Sequence, residues 1–352
     1  MAVCFVSTYL KGDDAMKAAV LRAVGEPLSF EDVPLPEPGA GEVLVKVAAA
    51  GVCHSDLHLA DGSIPSRLPL ILGHENSGWV EKMGPGAEGY SPGDPVVIFG
   101  GWGCGRCALC LGGEEQLCGT ERWGGIGPNG GYAQYMIVPS TRHLVPADGL
   151  DLVEAAALTD AALTPYRAVK KTLPSLVPGS SILVIGAGGL GQHAIQFLQL
   201  LTQASIIVVE TAEAKRDFVA NLGVATVIDG NADDVLDQVR AAAGDGGVEA
   251  ALDFVGADAT ITLAQHSLAR KGVFVLVGLA GGGSRFSFFD MAGEGVMTTS
   301  SWGSRNELVE VLALARAGKI HTAIERHPLE AANEALGRLH RGEVQGRAIL
   351  IP

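Results

Sequence analysis

Four of the six cysteines fall in one stretch, "GWGCGRCALCLGGEEQLC", as Cys104, Cys107, Cys110 and Cys118. Four thiols this close can be a disulfide framework, an iron–sulfur ligand set or a zinc site. Disulfide frameworks belong to small secreted domains, whereas a chain of 352 residues can bury a large core. C-x2-C-x2-C also opens a bacterial iron–sulfur motif, but that motif closes after three residues with Cys-Pro. Here seven residues intervene, and Gly119 follows Cys118. Zinc fits best: four thiolates satisfy the ion completely, so the site is closed and structural. Gly103, Gly105, Gly112 and Gly113 let the backbone wrap around it. The cluster and disulfide readings remain as rivals.

A second set of donors is more dispersed. Cys53 in "GVCHSDLHLADG" and His74 in "LPLILGHENSGWV" lie twenty-one residues apart. A catalytic zinc takes three protein ligands and keeps a fourth position open. With four cysteines assigned and Cys4 in an N-terminal extension not expected to reach, the third ligand should be a carboxylate or histidine. Asp160 in "ALTDAALTPY" is the best candidate. Singly, a lone Cys is usually a small buried hydrophobe and an Asp before a helix usually an N-cap; the set points to a metal. Ser55, two residues beyond Cys53, is expected to share its side of an extended chain and to accept a proton from the substrate oxygen.

The third constellation is glycine-rich. "SILVIGAGGLGQHAIQFLQLL" places Gly186, Gly188 and Gly191 as G-x-G-x-x-G, a weak signal alone in a chain with 48 glycines. Its context is stronger: an apolar strand precedes it, an apolar-periodic helix follows, and a second strand ends at Glu210. The first two glycines permit the turn and the approach of a pyrophosphate, and the third permits close helix–strand packing. Glu210 is expected to accept from the adenosine ribose hydroxyls and to repel a 2′-phosphate, favouring NAD over NADP. Lys215 and Arg216, just beyond, would partly offset that repulsion.

These residues need elements to hold them. The first 150 residues carry short apolar runs such as "EVLVKVAAAGV" and "GDPVVIFG" between Gly and Pro turns, which reads as an all-β-like region. The character changes near Leu158. "SILVIGAGGLG", "ASIIVVE", "ATVID", "AALDFVG" and "GVFVLVGLAG" then alternate with alanine-rich helical segments, predicting βαβ units and a parallel sheet. "NELVEVLALARAG" and "LEAANEALGRLHRG" read as helices and "GRAILIP" as a last strand. Lys plus Arg is 25 against 39 Asp plus Glu, a net charge of −14. So acidic a surface repels phosphate backbones and argues against nucleic acid. Apolar runs stop short of the roughly 20 residues of a membrane helix, and "MAVCFVSTYLKGDDA" lacks the basic start and apolar core of a signal peptide. A cytoplasmic protein acting on small molecules is expected.

Taken together, "GVCHSDLH", "GHE", the four-cysteine lobe, "LTDAALTPY" and "GAGGLG" resemble the zinc-dependent medium-chain alcohol dehydrogenases over nearly all of Met16–Pro352. "GGWGCGRC", "STRHLVP" and "SWGSR" resemble a bacterial subgroup acting on secondary alcohols and aryl aldehydes, phenylacetaldehyde-reductase-like, whose third zinc ligand is also an aspartate. The resemblance implies an α/β fold: a GroES-like β-rich catalytic domain (1–160 and 303–352, with the zinc lobe at about 100–120) plus a doubly wound Rossmann domain (161–302). It implies two zincs per chain, NAD and a homodimer or homotetramer. It places Gly189, Leu190, Lys215, Val255, Gly278 and Arg347 around the cofactor, with Arg347 at the pyrophosphate, and Trp102 and Trp302 in the substrate pocket. Asp56 is expected to orient His74, Glu75 to approach the metal, and His58 to relay the proton from the cofactor ribose to solvent.

Several features depart from the family. Residues 1–15 precede "MKAAV", where members usually begin. "LADGSIPSRLP" is shorter than in the subgroup, His58 replaces a bulky apolar residue, and Ser301 rather than an aromatic precedes Trp302. The expected reaction is reversible hydride transfer between a primary or secondary alcohol and NAD. The alternatives are a polyol or threonine-type amino-alcohol dehydrogenase, a zinc-free quinone reductase, and a non-catalytic NAD-binding regulator.

Overall fold

The structure is a computed structural model and describes residues 15–352 apart from 121 and 245. Cys4 and the N-terminal extension lie outside the described residues.

Val43–Gly51 is the hub of the β-rich half. Its sequence, "VLVKVAAAG", is apolar at nearly every position and mostly buried, as expected of a strand covered on both faces. It pairs antiparallel with Glu75–Met83, Tyr135–Val138 and the C-terminal strand Arg347–Ile351. The seven-stranded sheet is completed by Pro95–Ile98, Leu144–Pro146 and Ile324–Pro328. A smaller sheet joins Ser29–Pro34, Ala15–Leu21 and Leu70–Ile71. The region is not wholly β: His54–Asp61 is a helix that begins directly after Cys53.

The second half is a six-stranded parallel sheet. Its order is Thr226–Asp229, Ser205–Glu210, Ser181–Ile185, Val248–Asp253, Leu268–Leu276 and Val296–Thr299. Numbered along the chain this is 3-2-1-4-5-6. The order reverses between Ser181–Ile185 and Val248–Asp253, and the crevice at the carboxyl ends of those strands is where such sheets bind ligands. The five expected strands are joined by Val296–Thr299, whose exposed "VMTT" carries too little apolar pattern to be read from sequence.

The largest apolar cluster crosses between the halves. Val97, Phe99 and Val145 of the β-rich half pack in one core with Leu163, Val169, Phe197 and Leu198, and with Leu308, Val311 and Leu312 of the helix Arg305–Arg316. Because that helix packs with the parallel-sheet core, we propose that the chain returns to the β-rich unit between Arg316 and Ile324, not at 303. Among the described residues, no helix is long and apolar enough to cross a membrane.

His193 ties the glycine-rich turn to the segment that returns to the β-rich half. Fully buried on the helix Gly191–Leu201, it places Nδ1 2.9 Å from the Gly189 carbonyl and Nε2 2.9 Å from Thr322 Oγ1. Burial holds the imidazole neutral and pushes its pKa down to about 4. The unfolded chain, with an ordinary histidine near pH 6.5, takes up this proton first as pH falls. Stability should therefore decline from about pH 6.5 towards pH 4, by about 2 kcal/mol at pH 5 through this group alone. The thermal midpoint of His193→Gln should fall less between pH 7 and pH 5 than that of the wild-type chain. Equal falls would contradict this role.

Candidate metal centre and active site

The cysteine lobe has the dimensions of a mononuclear thiolate site. The Sγ atoms of Cys104 and Cys110 lie 3.9 Å apart, those of Cys107 and Cys110 3.5 Å, and those of Cys107 and Cys118 3.9 Å. A tetrahedron with Zn–S bonds of 2.3 Å has edges of about 3.8 Å. A disulfide would bring two sulfurs to about 2.05 Å, and these cysteines are free. A cluster, with its own sulfides inside, would hold the thiolates farther apart. Gly103 is required here, since a Cβ would lie 2.5 Å from Cys110 Sγ. A hydrogen bond from Thr120 and the backbone N–H of Cys104 pull Cys118 down to about 6, whereas burial and the neighbouring thiols push Cys110 up to about 12, so the four sulfurs become thiolates together only around a cation. The lobe is anchored by Glu114, which accepts from Arg167 at 2.7 Å while Arg167 also holds Glu307 at 2.9 Å.

The second set converges as well. One donor atom each from Cys53, His74, Glu75 and Asp160 lies within 4.8 Å of the others, and all four residues are buried. Asp160 Oδ2 is 3.6 Å from Cys53 Sγ and 3.6 Å from His74 Nε2. These separations suit three ligands around one small ion. Each ligand comes from a different element. Cys53 caps the helix His54–Asp61. His74 follows Gly73, whose φ of +95° and lack of a side chain let the chain pass against the Tyr132 ring. Asp160 lies in a π-helical turn, Leu158–Ala162, between the helices Leu152–Ala157 and Leu163–Thr172. It is not an N-cap; the wide turn presents it inward.

Supporting groups fix each ligand. Asp56 accepts from the Cys53 backbone N–H at 2.8 Å and from Tyr132 Oη at 2.8 Å. Its other oxygen lies 3.4 Å from His74 Nδ1. This directs the Nδ1 proton towards Asp56 and leaves the Nε2 lone pair for a cation. Thr164 Oγ1 donates to Asp160 Oδ1 at 2.5 Å, leaving Oδ2 facing the other ligands. Burial works against charge throughout the cluster. It is outweighed at His74, raised well above its usual range by Asp56 and Asp160, and at Asp160, lowered by His74 and Thr164. Buried anionic donors that face one another are what a divalent cation satisfies, so the residues fit zinc.

Arg347 is no surface arginine. It is 3% exposed, and it grips Glu75 through Nε at 2.9 Å and through a second contact from its Nη2 to Glu75 Oε1. Nη2 also lies 3.5 Å from Asp160 Oδ2, and Nη1 packs against Gly189 of the glycine-rich turn. Glu75 thus stands beside the ligand set, paired to Arg347. Ser55 Oγ lies 3.8 Å from Cys53 Sγ. The extended-chain argument for it does not hold, because the segment is helical, and it is the first helical turn that brings the two together. His58 sits in the last turn of that helix, half-buried; among the described residues no hydrogen bond joins it to Ser55.

The two tryptophans part company. Trp302 stands edge-on to His74, ring centroids 5.7 Å apart, and donates to the Thr159 carbonyl at 2.8 Å. It adopts φ +48°, a strained conformation costing about 1–3 kcal/mol that its surroundings must impose. Trp102 is enclosed instead. It is buried among Val43, Val45, Ile98 and Met136 and donates to the Phe99 carbonyl, because the sheet closes over its ring.

The glycine-rich turn has room for phosphate. Gly186 adopts φ +87°, a Cβ on Gly191 would collide with the Gly186 carbonyl, and Gly188 faces open space. Leu190 caps the helix that follows. Glu210 accepts from the backbone N–H of Ala187 at 2.8 Å and of Ala212 at 2.9 Å, at the carboxyl end of its strand. Val255 and Gly278 lie on two loops in such close contact that Gly278 has no space for a side chain. Asp253, not anticipated, holds the first loop by accepting from Val255 and Gly256 at 2.8 and 3.0 Å. Tyr132 was also not anticipated and has no local signal. Thr164 did have one: it lies four residues past Asp160, on the same helical face.

Replacing Asp160 by Ala should leave one zinc per chain instead of two and remove nearly all turnover, with the four-thiol site still filled. Metal analysis returning two zincs would move the third ligand elsewhere. Cys107→Ser should instead lower the thermal midpoint sharply, because an open thiolate site loses folding free energy.

Comparison with known proteins agrees with this geometry. The family profile described as "Alcohol dehydrogenase GroES-like domain" matches residues 39–149 and that described as "Zinc-binding dehydrogenase" matches 189–317. An NAD-dependent alcohol dehydrogenase of Sulfurisphaera tokodaii is 36% identical over 96% of this chain and 100% of that protein. A D-arabinose 1-dehydrogenase (NADP(+)) of Saccharolobus solfataricus is 36% identical over 96% of this chain and 97% of that protein. The crystal structure of the alcohol dehydrogenase from Aeropyrum pernix superposes with a TM-score of 0.90 at 39% identity, covering 96% of this chain and all of that one. With relatives matched over nearly their whole length and both profiles present, this chain belongs to the zinc-binding alcohol dehydrogenase family.

Proposed function

We propose that this chain transfers hydride reversibly between a primary or secondary alcohol and NAD, giving an aldehyde or ketone. The observation that carries the reading is the convergence of Cys53, His74 and Asp160 in a buried cluster that Arg347 connects to the glycine-rich turn. A zinc-free quinone reductase or a non-catalytic regulator would leave that convergence unexplained. The polyol reading keeps one support, a relative named for D-arabinose. The preference for secondary alcohols and aryl aldehydes belongs to the proposal and draws on Trp302, whose ring faces His74.

Cys53, His74 and Asp160 would hold the catalytic zinc, and Cys104, Cys107, Cys110 and Cys118 the structural one. When bound, zinc supplies a Lewis acid that acidifies an alcohol hydroxyl, and the nicotinamide supplies the hydride acceptor. Asp56 keeps the His74 ring in register. Trp302 covers one side of the site and limits water. Ser55 Oγ would accept the alcohol proton, and His58, at the far end of the same short helix, would deliver it to solvent. Gly186, Gly188, Gly189 and Leu190 bring backbone to the pyrophosphate, with Arg347 beside it. Val255 and Gly278 would flank the nicotinamide half of a bound cofactor, and Glu210 would keep lone pairs for its adenosine ribose.

A homodimer or homotetramer is part of the proposal. Val296–Thr299 is an edge strand, and Phe286, Phe288 and Phe289 near it are 76–93% exposed, which supports burial against a second copy. The free thiols of Cys53, Cys104, Cys107, Cys110 and Cys118, among the described residues, support the expected reducing, cytoplasmic setting.

The test is a panel of alcohols with NAD⁺, followed at the NADH absorbance band. Turnover with simple or aryl secondary alcohols is expected. No turnover with any alcohol by the two-zinc protein would contradict the proposal. For the relay, His58→Gln should lose about 10-fold in alcohol oxidation near neutral pH, with the loss shrinking as pH rises or when a small exogenous base is added. A variant profile parallel to wild type would remove His58 from the path.

A further inference from the structure

Glu210 does not stand alone at the end of its strand. Its register partner on the neighbouring strand is Asp229, the last residue of Thr226–Asp229. Both acids are at the carboxyl end of the parallel sheet, where the adenosine half of a dinucleotide lies. Arg216, from the helix Glu213–Asn221, reaches back over the turn between them. Its Nη1 donates to the Thr211 carbonyl at 2.6 Å and the Glu210 carbonyl at 3.2 Å, and pairs with Asp229 Oδ1 at 3.1 Å. Asn231 closes the ring: its Nδ2 donates to the Thr211 carbonyl at 3.0 Å and to Asp229 Oδ1 at 3.0 Å, and its backbone N–H donates to the same oxygen at 3.0 Å.

We propose that Asp229 is a cofactor-selectivity residue, which acts by holding Arg216 against the Thr211 carbonyl and so denies a 2′-phosphate the guanidinium it would bind. The inference rests on the reading of Glu210 as the ribose acceptor and goes beyond it. Arginine is the side chain best suited to a phosphate, through paired charge-assisted hydrogen bonds. Here it is six residues from Glu210 and already committed to two carbonyls and a carboxylate. A 2′-phosphate arriving at this turn would meet two carboxylates and a neutralised guanidinium. Lys215 remains as the nearby cation, a flexible point charge that screens without organising.

The size of the effect follows from exposure. The Asp229 side chain is 45% exposed and that of Arg216 22%. An exposed pair of this kind shifts an equilibrium by up to about fivefold. Removing the Asp229 charge also removes one repulsion, so the combined change in the NADP-to-NAD affinity ratio should be about 10-fold at low salt.

The experiment measures dissociation constants of NAD⁺ and NADP⁺ by calorimetry on the zinc-loaded protein without alcohol. Asp229→Asn should raise the NADP-to-NAD affinity ratio about 10-fold, and Asp229→Ser, a second removal of the charge, should do the same. Adding Arg216→Ala to Asp229→Asn should abolish most of that gain, an outcome that a merely structural role for Asp229 would not produce. Glu210→Gln, measured alongside, should raise the same ratio by its own route. If Glu210→Gln raises the ratio while both Asp229 variants stay within twofold of wild type, the proposal fails and the ribose reading stands. If the gain survives Arg216→Ala, the holding of Arg216 is wrong. If neither Glu210→Gln nor the Asp229 variants move the ratio, the ribose reading falls with it.

Discussion

A buried guanidinium tolerates little freedom. Arg347 lies at the start of the C-terminal strand, out of water, where an unpaired charge would cost several kcal/mol. Its pairing with Glu75 meets that requirement, and the pairing constrains much else. Glu75 begins the strand next to Val43–Gly51, directly after His74, so it positions the residue beside a metal ligand. The other edge of the guanidinium faces Asp160 and Gly189. One side chain thereby ties the last strand, the metal cluster and the phosphate turn into a single electrostatic unit. Removing either partner would leave the other buried and unpaired, a loss of about 3–5 kcal/mol.

Around this pair the ligands are held by hydrogen bonds and by one close charge contact, Asp56 to His74. Tyr132 fixes Asp56, and Asp56 fixes both the Cys53 backbone and the His74 ring. Thr164 fixes Asp160. Such outer partners set the orientation of ligands and the basicity of the imidazole. The apolar core running from Phe99 to Leu312 then keeps the two halves together, with the site and the crevice of the parallel sheet between them.

What could be read from the sequence was chemistry with a short-range signature. Cys104 to Cys118 carry their geometry in their spacing. Gly186 to Gly191 carry theirs in a turn that excludes side chains. The pairing of Cys53 with His74 and Asp160 was reached by counting donors, since their contact depends on three distant elements. Other features had no local expression. The π-turn at Asp160 looks in sequence like any alanine-rich helix start. Ser55 was reached through the wrong backbone, because "HSDLHLAD" carries no apolar stripe to mark a helix. Trp102 and Trp302 are each followed by a glycine, in "GGWG" and "SSWG", and only the tertiary packing decides that one is buried in the sheet core and the other stands beside His74. Arg347 was placed by resemblance at the phosphates, and its pairing with Glu75, 272 residues away in sequence, is a tertiary fact.

The central claim is that Cys53, His74 and Asp160 share one metal ion beside the Arg347–Glu75 pair. Anomalous diffraction at the zinc edge, on crystals of the zinc-loaded protein, tests it most directly. The account predicts two peaks per chain, one among the four lobe sulfurs and one about 2.0–2.3 Å from Cys53 Sγ, His74 Nε2 and an Asp160 oxygen, with Glu75 still on Arg347. A second peak bound by Glu75 in place of Asp160, or no second peak in protein that turns over alcohol, would contradict it.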